Sequence, residues 1–487
     1  MASKADVDYH VKEPTPRPSS SDLWFFSYLP WALAVGLTTP LIPLVALFLY
    51  KGTFATAYSP LVVAVVVAAS DLTEIPFTVF WGNLSDRLHH RKYFMVGSFV
   101  ATGLVLMAMP FMPNLQTFIL MNVLEGVCMA ASAPIGTVLL LETRQKRWWP
   151  RDIGVFGLVS GVGTVGGLAL GAIWLYVLGW NVSATIPAMQ SLLILTGVLA
   201  LLSGIIALRY IEEPEEYTDR ESMTDDVPAY AGLVSTIRGL GRRALNVLDL
   251  ARGEPVPLPR SELFFLASLF IVNLGSQMCL GTLVYFLTAP DGAGLSQAAV
   301  FVVFLASALT STALMAPSGK AADRYSPKNI FLASIIVRAI LIPVLILIAL
   351  KGSFLYLSPS SVSMIGATIG INGLIGVTLA FASTASTVFL LRLLSANANK
   401  ARGKAVGLYY ALSGFGGLLG TLVGGWVYAV KDVTWAYGLA AIVLIGGCLI
   451  IFPIHYHFTP YRHVPLPIKA KSATAGKASG VAPWTKT

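Results

Sequence analysis

Charge is what this chain has least of. Only 12% of its 487 residues are Asp, Glu, Lys or Arg, against about 25% in an ordinary soluble domain, so the apolar runs cannot be explained as several water-soluble domains in series. Cysteine is almost absent. Cys128, Cys279 and Cys448 all fall inside apolar stretches and no pair has metal-ligand spacing, so they read as small packing residues and no metal is expected. There is no H-E-x-x-H and no nucleotide-cradling G-x-x-x-x-G-K-[ST], and the six His lie in tails, loops or the end of the last apolar run. An enzyme is therefore not expected, nor is a cofactor. Without a nucleotide site, any work must be driven by an ion gradient or by the gradient of the solute itself. The polar, Pro-rich segment up to Asp22 lacks a short apolar core with a cleavage pattern, so no removable signal peptide is expected and the first apolar run serves as the insertion signal.

What remains is hydrophobic. Such residues make up 55% of the chain, mean hydropathy is +0.73, and a bilayer core needs about 20 apolar residues per helix. That ruler marks twelve spans: 24–50, 55–81, 93–112, 115–141, 153–178, 186–209, 263–288, 297–317, 329–350, 362–391, 405–430 and 434–454. The expected fold is an all-α integral membrane protein, with twelve transmembrane helices in two pseudo-symmetric six-helix bundles, 23–209 and 262–456.

Loop charge orients the bundle. Lys and Arg collect on the cytoplasmic side of a membrane. One set of loops holds Arg87, Arg91 and Lys92; Arg144, Lys146, Arg147 and Arg151; Lys320, Arg324 and Lys328; and Arg392, Lys400, Arg402 and Lys404, whereas the other set holds only Lys51, Lys351 and Lys431. Both termini are thus expected in the cytoplasm, with the protein multi-pass in the plasma membrane. The net charge of +9 is accounted for by the bilayer, and nucleic acid is not an expected partner. A tail (1–22), a central cytoplasmic interval (210–261) and a second tail (457–487) complete the chain. Within the interval, Leu233, Ile237, Leu240, Ala244, Leu248 and Ala251 recur at helical spacing, which suggests an amphipathic helix on the membrane surface or else a partly ordered linker.

The halves repeat. At an offset of 250, Asn122-Val-Leu-Glu-Gly126 lies over Asn372-Gly-Leu-Ile-Gly376, and the match continues through Ala130/Ala380, Thr137/Thr387 and Leu141/Leu391. A charged stretch, Gly82-Asn-Leu-Ser-Asp86-Arg87-Leu-His-His-Arg91-Lys92, reads as a loop between the second and third spans. Its twin is Gly319-Lys-Ala-Ala-Asp323-Arg324-Tyr-Ser-Pro-Lys328. Two similar bundles about an axis along the membrane normal imply a central cavity that opens to either side.

With these residues in view, the chain resembles the major facilitator superfamily of secondary transporters from residue 22 onward. The Gly82–Lys92 stretch is similar to that family's Gly-x-Leu-Ala-Asp-Arg-x-Gly-Arg-Arg/Lys pattern, with His in place of the second Gly. The resemblance implies that Gly82, Asp86, Arg87 and Arg91, with Gly319, Asp323 and Arg324, form a cytoplasmic gate. Gly36-Leu-Thr-Thr-Pro40-Leu-Ile-Pro43 looks like the Gly-x-x-x-Pro-x-x-Pro signature of twelve-span drug/proton antiporters, whose prolines bend a cavity-lining helix. Two other antiporter hallmarks depart from the pattern. The fourth span has Asn122 where the family has Arg, and the fifth, Gly163-Thr-Val-Gly-Gly167-Leu168-Ala-Leu-Gly171, has Leu168 where it has Pro.

Ionisable groups inside a membrane are functional candidates by default. Asp71 and Glu74 are three apart on one helix face. Asp71 precedes Gly82 by 11 residues, about 16 Å of helix and so near mid-bilayer. Glu125 sits at a similar depth. Together they are candidates for proton coupling or for binding a cationic substrate, with hydrogen bonds to neighbouring hydroxyl or amide groups as the alternative. Arg338, Asn122, Asn273, Gln277 and Asn372 are candidate polar groups of the cavity, and Tyr28, Trp31, Tyr285 and Tyr409 candidate aromatic surfaces for an amphipathic substrate. The glycines from Gly403 to Gly425 suggest a span that moves against the second span, or one statically packed there. The leading expectation is a monomeric, proton-coupled transporter that exports small amphipathic or cationic molecules. The alternative is an uptake symporter or uniporter for a polar metabolite such as an organic acid or sugar; a non-transporting receptor or scaffold is a third reading.

Overall fold

The computed structural model describes residues 26–49, 59–88, 90–132, 134–136, 139, 149–179, 182–211, 260–289, 292–349, 362–396 and 402–454. The expected surface helix at 233–251, most of the central interval, both tails, and Lys51, Arg144, Lys146, Arg147, Lys351 and Lys400 lie outside these residues. Within them the chain is helical, without a strand, and twelve helices are long and apolar enough to cross a membrane. In order they are α1 (Tyr28–Leu49), α2 (Ser59–Leu88), α3 (Arg91–Ala108), α4 (Leu115–Met129), α5 (Trp149–Leu178), α6 (Val182–Tyr210), α7 (Arg260–Leu280), α8 (Gln297–Arg324), α9 (Pro327–Ala349), α10 (Val362–Ala396), α11 (Arg402–Val430) and α12 (Val433–Ile451). After Gly281 and Thr282, α7 resumes as a short helix, Leu283–Thr288.

The charged stretch expected to be a loop is mostly helix. α2 runs on to Leu88 and α3 begins at Arg91, while α8 continues to Arg324 and α9 starts at Pro327. Hydropathy marks where a helix leaves lipid, but backbone hydrogen bonding carries on as long as the side chains tolerate water. Pro327 sets the second boundary, since a residue lacking an N–H suits the first helical position and no interior one.

Packing follows one pattern twice. α1 lies against α5 and α6, α3 against α4 and α6, and α2 against α4; adding six to each label gives the neighbours in the second lobe, α7 with α11 and α12, α9 with α10 and α12, and α8 with α10. The lobes meet where α2 packs on α11 and α5 on α8. The repetition reaches individual atoms. Gly163 and Gly167 of α5 press on the carbonyls of Leu29 and Leu33, while Gly416 and Gly420 of α11 press on those of Phe270 and Leu274. These partners are offset by 253 (416 against 163) and 241 (270 against 29). Any side chain there would strike backbone, so glycine is required for the two helices to approach this closely. The glycines of α11 were expected to face α2, but Gly416, Gly420 and Gly424 face α7 inside their own lobe; Gly414 and Gly425 are the ones against α2, at Ile75 and at Pro60 and Ala64.

α3 and α9 share a burial register at an offset of 236 (331 against 95). Met95, Ser98, Phe99 and Leu106 are buried, as are Phe331, Ser334, Ile335 and Ile342.

Candidate functional site

Acidic groups come together on α2 and α4, and the local packing explains how. α4 carries Gly126 where a Cβ would collide with the Ser70 carbonyl and the Thr73 hydroxyl of α2. The helices therefore sit close enough for cross-bonding. Thr73 Oγ1 donates to Val123 O (2.8 Å), Trp81 Nε1 to Val127 O (2.8 Å), and Asn122 Nδ2 to Val66 O. Glu125, next to the glycine, is thereby held in the interior at 4% exposure. Asp71 and Glu74 are half-buried. The charge of Glu125 feels both Glu74 and Asp71, and that of Glu74 feels Asp71, with no basic group among the described residues acting on any of the three. Sequence spacing predicted the Asp71–Glu74 pair; the structure adds Glu125 to it.

The same construction recurs without the charge. Gly376 of α10 meets the Ser307 carbonyl and Thr310 hydroxyl of α8, and Thr310 Oγ1 donates to Gly373 O (2.8 Å). Ser307 and Thr310 are Ser70 and Thr73 displaced by 237, the offset that separates Gly319 from Gly82. At the places of Asp71, Glu74 and Glu125 stand Ala308, Ser311 and Ile375. The only mark of Thr73 and Thr310 in the sequence is their common distance from Gly82 and Gly319.

The remaining candidates fall in different surroundings. Asp71 lies at helical spacing between Ala64 and Ile75, the α2 residues that meet α11. Gly82 continues that stripe seven residues beyond Ile75, and Gly319 the corresponding α8 stripe seven beyond Thr312, which meets Gly161 of α5. Apart from their own helix's backbone and chain neighbours, no described atom lies within 4 Å of the place of a Cβ at Gly82, Gly157 or Gly319. Among the described residues, glycine contacts between the lobes thus lie from mid-span to the helix ends remote from Gly82 and Gly319. Arg91 is buried and its Nη1 donates to Ser85 Oγ (3.1 Å), binding the start of α3 to the end of α2. Arg324 is exposed, 5.7 Å from the ring of Tyr325, and Lys328 Nζ donates to the carbonyls of Phe452 and Ile454 beyond α12. The backbones of Asp86, Arg87 and Asp323 are helical, and their side chains lie outside the described set.

Several expected cavity groups make hydrogen bonds within or between helices. Asn122 holds α2 as above, Asn372 Nδ2 donates to Thr368 O on its own helix (3.0 Å), and Asn273 Nδ2 to Leu269 O (2.9 Å) and Ser413 Oγ (3.3 Å). Gln277 is half-buried beside Gly417 of α11. Arg338 is enclosed within the second lobe, with Nε donating to Thr378 Oγ1 (3.0 Å) and Nη1 to Ser276 Oγ (2.9 Å). Tyr28, Trp31 and Tyr409 are buried; Tyr28 donates to Ser132 O (2.5 Å) and packs edge-on to Phe99 and Phe156. Tyr285, half-buried, packs edge-on to Tyr428. On an amphipathic scale these rings look available, but a lobe core also needs large side chains. α1 stays helical through Pro40 and Pro43, and Gly36 leaves room for the Thr164 backbone of α5.

Residues 24–392 match the Major Facilitator Superfamily. The chain belongs to that family. As a member of the major facilitator superfamily it is a multi-pass membrane transporter and not an enzyme. Similar solved structures include a mutant of the nucleoside transporter NupG, at 14% identity and TM-score 0.63, covering 89% of this chain and 97% of that one. The xylose transporter XylE from E. coli, in a partially occluded inward open conformation, is similar at 10% identity and TM-score 0.62, with 89% and 97% covered. At these identities the likeness is one of fold. No curated protein matches the chain in sequence.

Proposed function

We propose that this transporter couples solute movement to protons, with Glu125, Glu74 and Asp71 as the coupling group and as the attractor of a cationic or amphipathic solute. The observation that carries this reading is three carboxylates on the packed α2 and α4, near enough for their charges to act on one another, one of them 4% exposed, with no described cation to balance them. Placing several uncompensated negative charges in a low-dielectric interior is costly, and a proton or a cationic group relieves the cost. Asp71 is on the α2 stripe that faces α11, so a change of angle between the lobes would alter its surroundings. Such a link between occupancy and lobe position is what coupling requires. Gly82, Asp86, Arg87 and Arg91, with Gly319, Asp323 and Arg324, act as the cytoplasmic gate. In this reading both termini are cytoplasmic, the membrane is the plasma membrane, the working unit is a monomer, and transport is outward.

Uptake of a polar metabolite is the second reading. Asn122 and Leu168, in place of the antiporter Arg and Pro, favour it, and the similar structures named above are described as nucleoside and xylose transporters. Proteoliposomes with an imposed pH gradient separate the readings, using a lipophilic dye cation in one arm and a nucleoside or pentose in the other. Proton-driven movement of the cation is expected, at least tenfold weaker in Glu125→Gln and Asp71→Asn. Undiminished transport in both variants overturns the coupling assignment, and movement of the neutral solute alone selects the second reading.

A further inference from the structure

The lobes touch along two seams, and the seams are copies of one another. On one, Ile75 and Ala64 of α2 meet Gly414 and Gly425 of α11; on the other, Thr312 and Phe301 of α8 meet Gly161 and Gly171 of α5. Thr312 and Phe301 are Ile75 and Ala64 displaced by the 237 that separates Gly319 from Gly82, and Gly414 is Gly161 displaced by 253. Contact loosens in the same direction along both. Ala64, Gly425, Phe301 and Gly171 are buried, and Ile75, Gly414, Thr312 and Gly161 are half-buried. Further along, no described group of the other lobe lies within 4 Å of the place of a Cβ at Gly82, Gly157 or Gly319. The short helix Leu283–Thr288 crosses to α1 and α2 and adds to the contact at the buried end. Among the described residues, the lobes are thus shut at the helix ends remote from Gly82 and Gly319 and part towards the others.

The matched positions differ in size. At the shut end one seam has the methyl group of Ala64, and the other has the ring of Phe301, 0% exposed. A Cβ at Gly171 would strike ring carbons Cδ1 and Cε1 of Phe301 and come within 3.0 Å of Leu37 Cδ2 on α1. The ring of a second-lobe helix therefore fills a notch of the first lobe, floored by a glycine and flanked by a buried leucine. A fitted ring makes many more van der Waals contacts than a methyl group, and opening a water-filled path beside it would expose far more apolar surface. Interlocked packing of this kind is either engaged or released, with little between. Ala64 has no side chain with which to lock the other seam.

We infer that Phe301 is a positioning residue of the transport cycle: its ring, seated between Gly171 and Leu37, holds the lobes shut at the ends remote from Gly82 and Gly319 and must leave that notch for the solute path to open there. The α5–α8 seam sets the balance between the two open forms, and the α2–α11 seam follows it. This role needs only the transport activity of the family and is independent of proton coupling and of the nature or direction of the solute.

Hydrogen exchange read by mass spectrometry on the full-length protein in lipid nanodiscs tests the inference. Segments 168–178 and 297–305 report the shut end, and segments 149–160 and 316–324 the other. Phe301→Ala, which copies Ala64, should speed exchange about threefold or more in the first two and slow it by a similar factor in the last two, because a population shift opens one end as it closes the other. Gly171→Leu, which fills the notch, should move both ends in the same directions. Ala64→Gly should leave 149–160 and 316–324 unchanged. Faster exchange at the shut end alone in Phe301→Ala is a local packing defect and overturns the inference, as does no change at either end. Slowing of 149–160 and 316–324 in Ala64→Gly to the extent seen in Phe301→Ala overturns the primacy of the α5–α8 seam. Should Phe301→Ala fail to fold, Phe301→Leu decides by the same opposed shifts at smaller amplitude: their presence supports the role, and their absence overturns it.

Discussion

The two lobes share a skeleton and differ in what is hung on it. In both, a glycine of the fourth helix rests on a serine carbonyl and a threonine hydroxyl of the second, Gly126 on Ser70 and Thr73, and Gly376 on Ser307 and Thr310. In both, the first and fifth helices meet through glycines four residues apart. Charge breaks the symmetry: Asp71, Glu74 and Glu125 in the first lobe correspond to Ala308, Ser311 and Ile375 in the second, and Arg338 in the second corresponds to Thr102 in the first. Where the lobes agree, the chemistry is that of close packing. Where they disagree, a buried charge is present that packing does not need, and such positions are the better guide to function.

The largest expected effect breaks the asymmetry. Glu125→Gln should lower proton-driven flux in proteoliposomes at least tenfold, and adding Ile375→Glu to that variant should not restore it, because Ala308 and Ser311 of α8 stand where the first lobe has Asp71 and Glu74. Recovery of flux in the double variant would mean that the lobes are interchangeable in coupling. Next is the shared skeleton. Gly126→Val and Gly376→Val should each destabilise the protein by about 1–3 kcal/mol or more, since the facing groups include backbone that cannot move aside alone. Similar falls in thermal midpoint are expected for the two; a large fall in one and none in the other would show that the matched geometry is not matched in strength. Smallest is the loss of a single tie. Thr73→Val and Thr310→Val should each cost about 0.6 kcal/mol, a common value for an interhelical hydrogen bond in lipid, read as paired small shifts in chemical denaturation.

The number of spans was legible because the bilayer imposes a length on every crossing helix, and sums of hydropathy register it. Glycine and aspartate repeated at Gly82/Gly319 and Asp86/Asp323 made the duplication legible too. Helix ends were not. Polar residues such as Asn83 and Ser85 end an apolar run without ending a helix, so hydropathy alone makes a loop of the Gly82–Leu88 stretch. Nor was the direction of a side chain around its axis. Arg338 and Tyr28 looked available to a cavity, yet their neighbours, Ser276 and Thr378 for one and Ser132 and Phe99 for the other, lie 40 or more residues away along the chain. The carboxylate cluster was half legible for the same reason: Asp71 and Glu74 share a helix, and only the packing of α4 on α2 brings Glu125 to them.

The offsets between equivalent helices hold steady inside each pair but jump from 236 for α3 and α9 to 250 for α4 and α10. Since their common ancestor, the two halves have gained or lost residues in the connectors while leaving the buried rods untouched. The longer connector, between Ala349 and Val362, is therefore where evolution has already tolerated extra length. An epitope or fluorophore-acceptor sequence spliced in there offers a practical handle on a working molecule.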